Sequence, residues 1–307
     1  MNIFVGEIAA LAAAFLWAAS SVGYGRLGER VPPLTLNLLK GAIAILLIIV
    51  TLIIQALLTQ NFTLFTPQVP LATLCLLILS GVVGIGIGDT AYFHAINNLG
   101  ARKTLLIETI ASPLSALLAL IFLQEKLSSF AWIGIFLTLL GVAWVISEGT
   151  PGVDVKYPQQ NWVGIGWGLS AATCQSVGAV MSRSAFMAGE VDALWSTLLR
   201  LMGGLIIVAI LLKTKPQEQA EKIGAIFTRK KLIFALVIIA FGSTYLGIWL
   251  QQISLKFAPA GIAQTLLGTS PLFVLPLVVI LGERVSFRAY LGVIVAIVGI
   301  AILFFTR

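Results

Sequence analysis

Residues 112–143 read SPLSALLALIFLQEKLSSFAWIGIFLTLLGVA, and residues 270–301 read SPLFVLPLVVILGERVSFRAYLGVIVAIVGIA. The two stretches align without a gap at an offset of 158, and eleven of the 32 positions are identical. Among them are Ser112/Ser270, Pro113/Pro271, Glu125/Glu283, Ser128/Ser286, Gly134/Gly292 and Gly141/Gly299, while Lys126/Arg284 keeps a cation. Any two Leu-, Ile- and Val-rich stretches share identities by composition. A proline followed twelve residues later by a Glu–basic–aliphatic–Ser run, then by glycines in register, is not a composition effect. The chain therefore reads as a duplicated membrane protein, a common construction in small-molecule transporters.

Composition points the same way. Only 10% of the 307 residues are charged and 59% are hydrophobic, with a mean hydropathy of +1.04. A soluble domain carries roughly 25% charge, so too few charges exist here to cover a water-facing surface. A span needs roughly 20 apolar residues. Apolar runs fall at about 4–24, 35–58, 70–95, 102–122, 129–147, 162–187, 193–212, 232–254, 260–281 and 287–305. The expected fold is an all-α integral membrane protein of ten transmembrane helices, arranged as two inverted five-helix repeats. The repeats are 1–147 and 161–307, joined by a Pro-, Gly- and charge-bearing linker at 148–160. No basic residue precedes the first apolar run and Glu7 stands within it, so the first span is expected to be retained. Cys75 and Cys174 lie in apolar runs without CxxC spacing and read as small core residues, with no disulfide or metal site expected.

Five spans per half make the halves enter the membrane in opposite directions. Odd-numbered loops carry thirteen Lys and Arg, even-numbered loops and the tail four. The positive-inside rule then places the odd loops, including Lys213–Lys231, in the cytoplasm and both termini outside. The pI of about 9.6 reflects these loops and does not indicate nucleic-acid binding.

Several motifs carry a family resemblance: Gly86–Ala95 (GIGDTAYFHA), Leu99–Ala101 (LGA), Ser112-Pro113, Leu123–Leu127 (LQEKL), Gly134 and Gly141. The second half answers with Gln252–Ala258 (QISLKFA), Ser270-Pro271, Leu281–Val285 (LGERV), Gly292 and Gly299. Across essentially its whole length the chain resembles the EamA family of the drug/metabolite transporter superfamily. The resemblance implies ten helices in two inverted repeats, a central cavity and alternating access. It also implies export of small metabolites such as amino acids, or of drug-like molecules, often coupled to protons. It further implies cytoplasmic termini, opposite to the loop charges.

Charged groups inside spans cost roughly 2.5–3.5 kcal/mol each on insertion scales and default to cavity-facing candidates. Lys40 and Arg200 hold matching places in spans two and seven, as Leu38-Leu39-Lys40 and Leu198-Leu199-Arg200, at an offset of 160. They form either a binding pair for a carboxylate or two anchors that snorkel to the interface. Asp89 and Glu108 are the embedded acids, and their repeat partners are Gly247 and Leu266. An acid present in one half only is what a proton-coupling site would show; packing polarity beside the glycine-rich backbone, or a salt bridge to Lys40, is the plainer role for Asp89. Trp17, Trp249 and Tyr92 are candidate lining for an amphipathic or aromatic ligand, although aromatic belts explain such residues equally well. Gln175, Gln252 and Gln264 could hydrogen-bond a polar substrate or pack between helices. His94, the sole histidine, sits near a span end and reads as interfacial. Glu125/Lys126 and Glu283/Arg284 read as helix-end charge pairs, Pro113 and Pro271 as kinks, and glycines 81, 84, 86 and 88 as a stripe for close helix approach.

A secondary transporter is the expected function, on the lipid bilayer with a small-molecule substrate and a proton as candidate coupling ion. Either a monomer or a homodimer fits, in the cell membrane. A membrane channel should show a filter ring, and an integral membrane enzyme a clustered catalytic motif. Neither is legible, nor is a nucleotide-binding motif, so no cofactor is expected.

Overall fold

The computed structural model describes residues 4–28, 31–60, 69–148, 161–213, 230–280 and 286–306. Side chains are described there save at 21–28, 33, 101, 102, 148 and 277–280. Linker residues 149–160, most of loop 213–231 and the pair Glu283/Arg284 lie outside these residues. Every regular element among them is a helix. The first half holds α1 (Val5–Gly28), α2 (Pro33–Thr59), α3 (Leu71–Leu99), α4 (Ala101–Glu108, then Ala111–Phe122) and α5 (Ser129–Glu148). The second holds α6 (Trp162–Ala188), α7 (Ala193–Leu212), α8 (Lys230–Phe257), α9 (Ala260–Leu267, then Ser270–Ile280) and α10 (Phe287–Phe305).

Among the described residues, seven helices are long and apolar enough to cross a membrane, from α2, α3, α4, α5, α7, α8 and α10. Val5–Ser20 and Ala260–Pro276 are shorter apolar stretches. Leu46, Ile54, Phe136, Ile206 and Ile294 turn outward and are exposed, as lipid-facing side chains must be. Cys75 joins that outer face rather than the core. The long helix α6 is less apolar for a positional reason: it packs against α3, α4, α8 and α9. It buries a face of small residues, Gly164, Gly168, Ala171, Ala172, Ser176, Gly178 and Ala179 among them. Without a hydrophobic drive between helices in lipid, such faces hold a bundle together by close backbone contact.

The glycines shared by the repeats have a common purpose. α5 crosses α10 so closely that a Cβ at Gly134 would sit 3.1 Å from the Gly299 carbonyl oxygen. One at Gly292 would sit 3.1 Å from that of Gly141. Each shared glycine thus faces the non-equivalent glycine of the other half, as a two-fold relation between repeats requires.

Both halves also interrupt their helices at matching places. α3 widens to a π-helix at Val82–Gly88, and α8 at Phe241–Leu246. Asp89 N–H donates to the Gly84 carbonyl, Gly247 N–H to that of Gly242, each five residues back and 158 apart. α4 breaks after Glu108 and α9 after Leu267. The cause is the proline downstream. Pro113 and Pro271 lack an N–H and clash with the carbonyl four residues back, which is Thr109 or Leu267. The interruption therefore falls before each proline rather than at it.

Glu125 does not pair with Lys126. Its Oε1 accepts from Arg183 Nε of α6 at 2.6 Å, and its Oε2 accepts from Ala260 N–H at the start of α9 at 3.0 Å. Arg183 Nη1 donates to the Leu255 and Lys256 carbonyls at 3.0 and 2.8 Å. One ion pair ties the end of α4 to α6, α8 and α9, across the two halves. Its side chains are 17% and 10% exposed, so its loss should act like that of a buried pair. Arg183→Gln is expected to destabilise the protein by about 3 kcal/mol, read as a lower Tm in detergent, with Arg183→Lys intermediate. An unchanged Tm would show the tether to be dispensable.

Candidate functional site

The π turns set a carbonyl outside the α ladder, and in both halves another helix answers it. Ile85 O accepts from Asn37 Nδ2 of α2 at 3.0 Å. Ser243 O, its repeat equivalent, accepts from Trp17 Nε1 of α1 at 2.8 Å. π segments inside α-helices occur frequently at functional sites. Here they bring the interior acids and cations together.

Lys40 of α2 forms an ion pair with Asp89, the first residue after the α3 π segment, with Nζ 2.5 Å from Oδ2. Its ammonium also lies 5.1 Å from the Phe93 ring centroid. Neither charge could stand alone at this depth, since an isolated ion costs several kcal/mol to bury. Asp89 is thus the ion-pair partner of Lys40. Arg200 of α7 is 1% exposed and reaches α3, where a Cβ at Gly84 would sit 3.1 Å from its Nη2. The predicted glycine stripe makes this approach possible, because Gly81 meets the Arg200 backbone. Asp89 is close enough to act electrostatically on Arg200. Even so, Nε and Nη1 are buried without a hydrogen-bond partner.

Glu108 ends the first piece of α4. Its Oε1 is sealed from solvent and has no partner. Its charge and that of Asp89 both reach the Tyr92 hydroxyl, and the two acids interact with each other. Cys174 of α6 closes this side, within the field of Glu108 and facing Gly88, where a Cβ would meet its own at 3.1 Å. Of the residues singled out in the sequence, Lys40, Arg200, Tyr92, Asp89 and Glu108 thus form one cluster of α2, α3, α4 and α7 side chains.

The others are engaged elsewhere. Trp249 packs with Tyr245, ring centroids 6.0 Å apart, in an apolar group of α2, α3, α7 and α8. The Tyr245 hydroxyl bonds Thr51 Oγ1 at 2.7 Å. Gln252 Oε1 accepts from Ser196 Oγ at 2.8 Å, and its Nε2 lacks a partner. Gln264 Nε2 reaches the Gln175 carbonyl at 3.5 Å, the limit of a hydrogen bond. Its own carbonyl accepts from Ser112 Oγ of the first half. His94 stacks on Trp167 at 5.0 Å. Two shallow grooves, one lined by Leu106, Leu140 and Trp144 and the other by Phe130, Ile302 and Phe305, lie on the outer face. Neither reaches the cluster.

Sequence reasoning passed over Asn37, which is buried with Oδ1 unpartnered. The signal was present: an amide three residues before Lys40 in an apolar run shares its helix face.

The sequence model of the EamA-like transporter family matches twice, over residues 4–147 and 162–305. A solved structure described only as "Crystal structure of protein" superposes with a TM-score of 0.75 at 17% identity. The match covers 97% of this chain and 95% of that one, and at that identity it speaks for the fold. Comparison with curated proteins gives no match.

Proposed function

This chain belongs to the EamA-like transporter family, within the drug/metabolite transporter superfamily, and from that premise we propose that it is a secondary active transporter of small metabolites. In this reading it exports amino acids or related organic compounds across the cell membrane by alternating access. The two repeats, ten spans in all, rock against each other with a proton as coupling ion. Its family consists of transporters rather than enzymes, and its span-length apolar helices require a multi-pass membrane setting.

The observation that carries the reading is the set of matched interruptions: π turns in α3 and α8, breaks in α4 and α9, with a charged cluster beside them whose cations, Lys40 and Arg200, are buried. Discontinuous helices at the repeat interface are where transporters build substrate and ion sites. Lys40, Arg200 and Tyr92 are assigned to the substrate, with Trp17, Trp249, Gln175, Gln252 and Gln264 as outer lining that the opened states would present. Glu108 and Asp89 are assigned to proton coupling, Glu108 first because Asp89 is held by Lys40.

Metabolites released by cells expressing the parent chain are to be compared with those from the Lys40→Ala, Glu108→Gln double variant at equal membrane levels. A compound released by the parent alone is the expected result and names the substrate class. Identical release profiles would count against export through this cluster.

A further inference from the structure

We propose that Arg200 binds the carboxylate of the transported substrate, which supplies the counter-charge that Gly247, the equivalent of Asp89, does not. This deepens the transporter reading and rests on it for the word substrate, but not for the binding site itself.

The two halves share the cation but not the anion. α2 and α7 begin at Pro33 and Ala193, the same offset of 160 that relates Lys40 to Arg200. In the first half Lys40 has Asp89. In the second the equivalent of Asp89 is Gly247. The space a side chain would need there is taken, since a Cβ at Gly247 would lie 2.5 Å from Trp17 Nε1. No protein carboxylate can enter at that position without displacing the indole that satisfies Ser243 O.

Arg200 cannot borrow the first half's acid either. Asp89 Oδ2 is bound to Lys40 at 2.5 Å, and although its field reaches Arg200, no hydrogen bond forms. The result is a guanidinium at 1% exposure whose Nε and Nη1 belong to different edges of the planar group. Both edges therefore keep an unused donor. Arginine stays charged at any physiological pH, so it cannot relieve the burden by deprotonation. Snorkelling is also excluded, because Arg200 lies seven residues into α7, roughly 10 Å along the axis, and is buried on arrival.

A buried cation without acceptors is strongly unfavourable. A protein retains one where a ligand completes it. The planar fork with free edges matches a carboxylate bidentately. Charge selects the same partner: Lys40 and Asp89 cancel, and while Glu108 carries its proton the cluster keeps one positive charge, which a single carboxylate balances and a doubly charged phosphate monoester overbalances.

The test uses the full chain in detergent, as the parent and as the Arg200→Met and Arg200→Lys variants. Probes are sodium acetate and sodium benzoate, with benzamide as the neutral analogue and inorganic phosphate as the alternative oxyanion. A carboxylate is expected to raise the Tm of the parent by at least about 2 °C, and benzamide is not. Without added probe, Arg200→Met is expected to melt no lower than the parent, because it removes an uncompensated charge, and to show no carboxylate shift. Arg200→Lys should keep a reduced shift. A carboxylate shift retained in Arg200→Met would overturn the assignment. So would stabilisation of the parent by phosphate alone, or by none of the probes. Transport is scored separately. Export that survives in Arg200→Met defeats the Arg200 assignment and leaves the transporter reading intact. Arg200-dependent binding without export does the reverse.

Discussion

Glu108→Gln is expected to abolish substrate movement driven by a pH gradient in proteoliposomes, reducing it to the level of empty vesicles. Exchange of substrate present on both sides should persist. Glutamine keeps the shape and the hydrogen-bonding capacity of the side chain and removes only its ability to carry a proton. Glu108 sits where the first piece of α4 ends, with Oε1 sealed and unpartnered and within the field of Asp89. A carboxyl so placed has few ways to stabilise a negative charge, and its protonation state must respond to the exposure of the cluster. Asp89, already engaged by Lys40, is less free to respond. Unchanged proton dependence in Glu108→Gln would remove it from the coupling step.

The second large effect concerns stability. Gly141→Leu should leave almost no folded protein after detergent extraction, judged by size-exclusion chromatography. A Cβ at Gly141 would overlap the Ala296 backbone nitrogen and sit 2.5 Å from the Gly292 carbonyl oxygen. Backbone cannot step aside as a side chain can, so the cost exceeds the roughly 1–3 kcal/mol of ordinary overpacking. Two controls give the claim its edge. Gly134→Ala meets Leu303 Cδ2 and Cγ at 3.0 Å and the Gly299 carbonyl oxygen at 3.1 Å, looser contacts than those at Gly141, and should be milder. Gly166→Ala meets nothing within 4 Å and should be neutral. Equal loss at all three positions would show that glycine itself, not the α5–α10 crossing, is what matters.

Much of the fold was legible because apolar runs and repeat identities are local signals. The run at 162–187 became Trp162–Ala188 and that at 287–305 became Phe287–Phe305. Helices overshoot where backbone hydrogen bonding continues past the apolar stretch, as α3 does to Leu99 rather than residue 95. The π segments were not legible: Gly84-Ile85-Gly86 announces close packing, not an extra residue in the turn. Nor can sequence pair groups that are far apart. Trp17 and Ser243 lie 226 residues from each other, and Arg183 and Glu125 lie 58 apart. Lys126 was the nearer cation to Glu125, but Glu125 lies in the loop that follows α4, and its carboxylate meets Arg183 of α6 instead. At the cluster, composition alone identified Lys40, Asp89, Glu108 and Arg200, since each is a charge where charge is costly. What it could not say is which of them would be satisfied.

Alternating access is tested most directly by the native Cys174, which lies beside Gly88 and within the field of Glu108. With Cys75 replaced by serine, the labelling of Cys174 by a membrane-impermeant thiol reagent is followed from each side of sealed proteoliposomes. The account predicts labelling from both sides, with reversal of an imposed pH gradient raising the rate on one side and lowering it on the other. Labelling from one side only, at a rate indifferent to the gradient, would contradict it.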